Sequence, residues 1–254
     1  MSARLFNLEG TIALVTGAST GIGRAFCIAL AQAGADIAGV GSSGNFAETQ
    51  AAVEATGRKF IGITADLEKM DQTRTVVARA LDAVGSIDVL VNNAGTIRRA
   101  PSLEFTEEDW DAVMNVNLKS AFFLAQAAAR HFVEQDKPGK IINVASLLSF
   151  QGGILVPSYT ASKSGLAGIT KTLANEWASK NINVNAIAPG YIATRNTQAL
   201  QDDPVRNKSI LDRIPAGRWG KPEDLAGMVV FLASHASDYC HGTVYPVDGG
   251  WLGR

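Results

Sequence analysis

Cysteine and histidine are scarce in this chain, with two and three residues among 254. Cys27 and Cys240 lie far apart and neither sits in a Cys-x-x-Cys pair, so no disulfide framework or zinc knuckle is expected, only two reduced thiols. Cys240 adjoins His241 and lies near His235, but no further ligand is spaced to complete a metal site. Charge of either sign is not in excess: 23 Lys and Arg face 24 Asp and Glu, a formal net charge of −1. No cationic block therefore offers a phosphate-backbone footprint, which argues against a nucleic-acid partner. No apolar run approaches the roughly 20 residues that cross a bilayer, and residues 1–10 lack the apolar stretch of a signal peptide. These absences predict a cytoplasmic protein with no membrane partner.

Apolar side chains make up 46% of the residues, enough for a large core. They fall into runs rich in Val and Ile without strict alternation: Thr11 to Val15, Asp36 to Val40, Phe60 to Thr64, Ile87 to Val91, Lys140 to Val144 and Ile182 to Ile187. Strands buried on both faces have this pattern. Amphipathic segments separate them, at roughly Ile22 to Ala33, Ala47 to Thr56, Asp71 to Val84, Thr106 to Phe132 and Ser158 to Ser179. The βαβα alternation predicts an α/β fold, a doubly wound parallel sheet of Rossmann type with helices on both faces. No composition break divides the chain, so residues 1–254 read as a single domain. The least regular stretch, Pro189 to Lys221, reads as a lid over a substrate at about residues 191–221.

Polar residues end those strands: Thr16 and Gly17, Asp66, Asn92 and Asn93, Ser146, and Pro189 with Gly190. In an open parallel sheet all of these fall on the carboxyl edge, where ligands bind. After the first strand comes Thr16-Gly17-Ala18-Ser19-Thr20-Gly21-Ile22-Gly23, and a helical pattern begins at once. Glycines there allow a sharp turn and close approach of a pyrophosphate to N–H donors at the helix start. Tyr159 and Lys163 are four residues apart, one turn along the same helix face. An ammonium about 4 Å from a phenol, at an effective dielectric constant of ~20, favours phenolate by up to about 4 kcal/mol. The pair is therefore expected to bring the tyrosine's ionisation towards neutral pH.

Taken together, Gly17-x-x-x-Gly21-x-Gly23, Asn92-Asn93-Ala94-Gly95 and Tyr159-x-x-x-Lys163 resemble the short-chain dehydrogenase/reductase family over essentially the whole chain. The resemblance implies that Tyr159 is the general acid/base, that Ser146 orients the reacting oxygen, and that Lys163 also holds the nicotinamide ribose. Asn117 takes the fourth catalytic position, where it helps to hold a water linking the lysine to solvent. Asparagine is a poor helix-interior residue, so Asn115 and Asn117 suggest a functional compromise. By the same resemblance the cofactor is held by Gly17, Ser19, Thr20, Gly21, Ile22 and Gly23; by Ser42, Ser43, Asp66 and Leu67; by Asn93, Ala94 and Gly95; and by Pro189, Gly190, Ile192 and Thr194. Gly41 stands where NAD-dependent members carry an acid, while Thr20 is not basic and no arginine follows Ser42. NAD and NADP both remain open.

Further segments, among them Ile97-Arg98-Arg99, Ser149-Phe150-Gln151-Gly152-Gly153 and Ile214 to Gly220, resemble the sugar-acid branch of that family. The implied reaction interconverts a secondary alcohol and a ketone on a deoxy-ketogluconate or related aldonate. Arg98, Arg99 and Gln151 are the candidates to bind such a substrate, beside Ser146 and Tyr159. Leu155 departs from the branch, which carries arginine there. Oxidation of gluconate, reduction of a 3-oxoacyl group on a carrier protein and non-catalytic dinucleotide sensing are the competing readings. A sensor has no reason to keep Ser146, Tyr159 and Lys163 in register, and a near-neutral chain offers no basic dock for an acidic carrier. Ser120 to Ala129 is apolar nearly all round, and Ala161, Gly165 and Gly168 leave a small-residue face; both ask for cover by a partner subunit, as in the family's usual homotetramer.

Overall fold

Val- and Ile-rich segments without alternation can be stable only between two apolar layers, and the computed structural model, which describes residues 5–254, arranges them so. The strands are β1 (Ile12–Thr16), β2 (Asp36–Gly41), β3 (Phe60–Thr64), β4 (Val89–Asn92), β5 (Gly139–Val144), β6 (Ile182–Pro189) and β7 (Val244–Val247). Among the described residues they form one parallel sheet in the order β3-β2-β1-β4-β5-β6-β7. The helices are α1 (Gly21–Gln32), α2 (Ala47–Glu54), α3 (Met70–Thr73), α4 (Val76–Val84), α5 (Glu107–Met114), α6 (Ser120–Glu134), α7 (Pro157–Trp177), α8 (Gln198–Asp202), α9 (Pro204–Leu211) and α10 (Ala226–Ala233).

Two apolar layers sandwich the sheet. Phe26 and Leu30 of α1, Val53 of α2 and Val229 and Leu232 of α10 fill one. Val76 and Ala80 of α4, Leu124 and Phe132 of α6 and Leu173 of α7 fill the other. Phe26, Phe132, Leu30 and Leu124 are almost fully buried, each worth about 1.5–3 kcal/mol against exposure to water. The strand order reverses between β1 and β4, which opens a crevice at their carboxyl ends.

The doubly wound parallel sheet predicted from sequence is present, and the six expected strands sit within two residues of their predicted limits. Four features differ. The segment 71–84 is two helices, broken at Arg74–Thr75. The expected long helix from Thr106 contains a π-helical turn at Asn115–Lys119, where the two asparagines lie. The stretch 191–221 is largely helical, because Asp203 caps Val205 and Arg206 and Pro204 starts α9. Strand β7 and helix α10 complete the C-terminal end. No described helix is long and apolar enough to cross a membrane. The expectation for the first ten residues lies in part outside the described residues. Both cysteines are free, and Cys27 is buried, which pushes its thiol pKa up.

Candidate active site

The crevice opens into a cavity of about 650 Å³ whose lining runs from the glycine turn to the 191–221 segment. Gly17 has φ +68°, and a Cβ there would lie 2.8 Å from Asn93 Nδ2; one on Gly23 would lie 2.0 Å from Gly17 O. Backbone thus comes closer here than any side chain allows. The first bond of α1 runs from Arg24 N to Thr20 O, and its first turn carries no acid. Three N–H groups at a positive helix end are left for an anion, and the buried Ser19 hydroxyl beside them has no partner. These residues fit the pyrophosphate of a dinucleotide.

Asn93 braces this turn from β4. Its Nδ2 donates to Thr16 O at 2.8 Å, while the Asn93 and Ala94 N–H groups both donate to Thr16 Oγ1 at 2.9 Å. Across the cavity, the Thr194 methyl would lie 3.7 Å from a Cβ on Gly21, so the start of the 191–221 segment meets the start of α1. Gly190 is pressed against Asp248, whose Cα a Cβ would approach to 2.5 Å. Ile192 bridges to Gly220.

Ser146 ends β5 and accepts from Leu148 N at 3.2 Å, capping a short 3-10 turn. Ser149 Oγ donates to Lys163 O at 2.7 Å and Ser164 Oγ to Leu148 O at 3.1 Å, which ties this turn to α7 and sets Ser146 beside Tyr159. Burial pushes the Tyr159 phenol above its usual pKa; the Ser146 side chain and the Arg99 charge pull it back. Lys163 is buried at 3% exposure, and desolvation lowers its amine to about 8. Its Nζ donates to Val144 O at 2.6 Å and lies 5.6 Å from the centre of the Tyr159 ring.

The geometry differs from the 4 Å pair expected from sequence: the lysine donates to a strand carbonyl and stands 5.6 Å from the Tyr159 ring centre, and the Arg99 charge also lowers the phenol's pKa. The Asn117 side chain is fully engaged: its Oδ1 accepts from Thr96 N at 2.8 Å, and its Nδ2 donates to Thr96 O at 2.9 Å and Ser162 Oγ at 3.2 Å. It locks the loop after Gly95 to α7, and the π-helical turn is the backbone distortion that lets it do so.

Of the remaining candidates, Arg99 and Gln151 line the cavity, and Gln151 Oε1 accepts from Trp251 Nε1 at 3.2 Å. Arg98 does not; it turns out to pair with Asp109 at 3.2 Å and donates to Thr96 Oγ1 at 3.0 Å. Asp66 and Leu67 lie off both cavities described here; the Asp66 carboxylate accepts from Glu68 N and Leu67 is buried. Ser42 is exposed and off both as well. Ser19 and Ser43 instead line a second cavity of about 310 Å³ with Arg24, Asn45 and Glu48, and Thr20 and Arg195 line both. Arg24 pairs with Glu48 and donates to Ser19 O at 2.8 Å, so a cation is present where the sequence showed none after β2. A Cβ at Gly41 would lie 2.5 Å from Ser19 Oγ and 3.0 Å from the Phe46 ring, so an acid there requires these side chains to shift.

Sequence reasoning missed Arg206, Arg213 and Trp251, all of which line the main cavity. The Asp203-Pro204 helix start was the available signal, since it puts Arg206 in the first turn of α9 and Arg213 two residues past its end. Among the described residues no group of three potential ligands forms a metal site.

A family model described as enoyl-(acyl carrier protein) reductase matches residues 17–252. A 2-dehydro-3-deoxy-D-gluconate 5-dehydrogenase from Escherichia coli (strain K12) is 60% identical over 252 residues, covering 98% of both chains. A relative of the same name from Bacillus subtilis (strain 168) is 55% identical, covering 98% of this chain and 97% of its own. The crystal structure of a gluconate 5-dehydrogenase from Burkholderia cenocepacia J2315 in complex with NADP and tartrate has a TM-score of 0.95 at 38% identity, and each chain covers all of the other.

Proposed function

The chain belongs to the short-chain dehydrogenase/reductase family, and we propose that this oxidoreductase interconverts a ketone and a secondary alcohol on a deoxy-ketogluconate, as its relatives named 2-dehydro-3-deoxy-D-gluconate 5-dehydrogenase do. One observation carries the reading. A single cavity joins the glycine turn to Ser146, Tyr159 and Lys163, and its lining holds four arginines and no Asp or Glu among the described residues. A wall of that charge suits a substrate bearing a carboxylate. The presence of tartrate with NADP in the gluconate 5-dehydrogenase complex supports the same class of ligand.

NAD or NADP supplies the acceptor or donor of hydride. Tyr159 takes the proton of the substrate hydroxyl in oxidation and returns it to the carbonyl oxygen in reduction. Ser146 holds that oxygen within reach of the phenol, and Arg99 favours the ionised phenol between turnovers. Lys163, between the Val144 carbonyl and the floor at Gly95, is placed to hold the nicotinamide ribose. Asn117 keeps the Thr96 loop, and through it that floor, in place. Arg24 and Arg195 give the adenosine end a basic rim that accepts a 2′-phosphate.

The protein acts in the cytoplasm as a homotetramer. In support, Phe122 and Phe123 of α6 stay partly exposed, and a Cβ on Gly168 of α7 would meet nothing within 4 Å. The deciding experiment follows absorbance at 340 nm with gluconate, 2-deoxygluconate and 2-dehydro-3-deoxygluconate, each with both cofactors. The reading requires turnover of a deoxy sugar acid well above gluconate; preference for a neutral polyol or an acyl thioester would overturn it.

A further inference from the structure

We propose that Arg213 binds the substrate's carboxylate, a role for the 191–221 segment that deepens the sugar-acid reading and rests on it. Of the cations facing the main cavity, Lys163 is committed to Val144 O. Arg99 donates to Asn196 O at 3.4 Å, and its charge lowers the Tyr159 phenol's pKa. Arg195 also lines the small cavity at the adenosine end, so it faces the cofactor. Arg206 and Arg213 remain.

Four arginines elsewhere, Arg24, Arg58, Arg98 and Arg218, pair with carboxylates. Among the described residues, neither the Arg206 nor the Arg213 guanidinium has a hydrogen bond or a carboxylate partner. The two differ in how firmly they are held. The Arg213 guanidinium carbon lies 4.1 Å from the centre of the Trp251 indole. That indole is 4% exposed, packs against Tyr191 at 4.7 Å and donates to Gln151, five residues after Ser146. A planar cation stacked on a fixed ring loses little freedom when a carboxylate binds it edge-on through two N–H groups. Arg213 therefore holds the acid end of the substrate while Tyr159 and Ser146 hold the reacting end, and Trp251 sets the separation between them. Arg206, unstacked, adds charge from the first turn of α9.

The test is a cycle between protein and ligand charge. Wild type and Arg213→Gln are each assayed with the sugar acid and with its uncharged methyl ester, and NADPH binding is followed by fluorescence as a check on folding. Charged hydrogen bonds of this kind correspond to about a 10- to 100-fold change in affinity. Wild type should favour the acid over the ester by that factor in KM. Arg213→Gln should lose most of the preference with kcat changed less than about threefold, and Arg213→Lys should restore part of it, since an ammonium keeps the charge without the fork. Should Arg213→Gln fail to bind NADPH, the Lys variant alone carries the comparison. A variant that keeps the wild-type preference overturns the assignment and leaves the sugar-acid reading standing. A wild type with no preference for the acid overturns both.

Discussion

The Lys163 amine donates to the Val144 carbonyl at 2.6 Å and reaches no closer than 5.6 Å to the centre of the Tyr159 ring. The lysine is thus anchored at the end of β5, two residues before Ser146, and the Ser146 side chain and the Arg99 charge lower the phenol's pKa against burial. The proposed roles thus divide acid–base chemistry and cofactor placement between different residues.

That division predicts a pH effect from Arg99. Burial raises the phenol's pKa, and the arginine charge lowers it towards the working range. Oxidation needs the phenolate, so kcat/KM for oxidation should climb with pH through this ionisation. Arg99→Gln removes a cation that favours the anion, and the rising limb should move to higher pH. A limb that stays in place would mean the arginine acts on the substrate alone.

Lys163 should leave a mark on stability. Its amine ionises at about 8 in the folded chain against 10.5 in the unfolded one. Between these values the unfolded state binds more protons, so stability should rise with pH across the window, by about 3 kcal/mol at most. Urea unfolding at a series of pH values measures the slope. Lys163→Met should flatten it, and an unchanged slope would assign the effect to another group.

The proposed reading of the small cavity as the adenosine end gives cofactor choice to Arg24 and Glu48. Arg24→Ala should lower the ratio of kcat/KM for NADP to that for NAD by about tenfold, the scale of one charged hydrogen bond. Glu48→Gln, which frees the guanidinium, should raise the same ratio. Identical ratios in all three proteins would place the discrimination elsewhere.

The glycine turn has less tolerance still. A Cβ on Gly23 would fall 2.0 Å from Gly17 O, a backbone atom, so Gly23→Ala must displace the turn. A fluorescence titration with NADPH should show at least about a tenfold loss of affinity, since two or more N–H donors move off the phosphate. Retained affinity would show that the turn does not hold the pyrophosphate.

Residues with a local, repeating signal were legible in the sequence. Strands β1 to β6 are continuous Val- and Ile-rich runs, and Gly17, Gly21 and Gly23 follow the first of them directly. Strand β7 was not legible, being four residues with Pro246 among them at the sheet edge. Helix α10, Ala-Gly-Met-Val-Val-Phe-Leu-Ala, is apolar on every side and so has no period to read. At the site, Ser146, Tyr159 and Lys163 were found by their order and spacing, but the direction of each side chain depends on tertiary burial. Arg98 and Arg99 are adjacent and alike in sequence, and only the fold shows Asp109 drawing one away while the other lines the main cavity. Trp251 stands 100 residues from Gln151, its hydrogen-bond partner, a distance no local pattern spans.

The role of Tyr159 bears on the account most directly, through the turnover of Tyr159→Phe on the deoxy sugar acid with saturating cofactor. Loss of a general acid/base predicts a fall in kcat of about 10²- to 10⁴-fold, with NADPH affinity retained. Turnover close to wild type, in a variant that still binds NADPH, would contradict it.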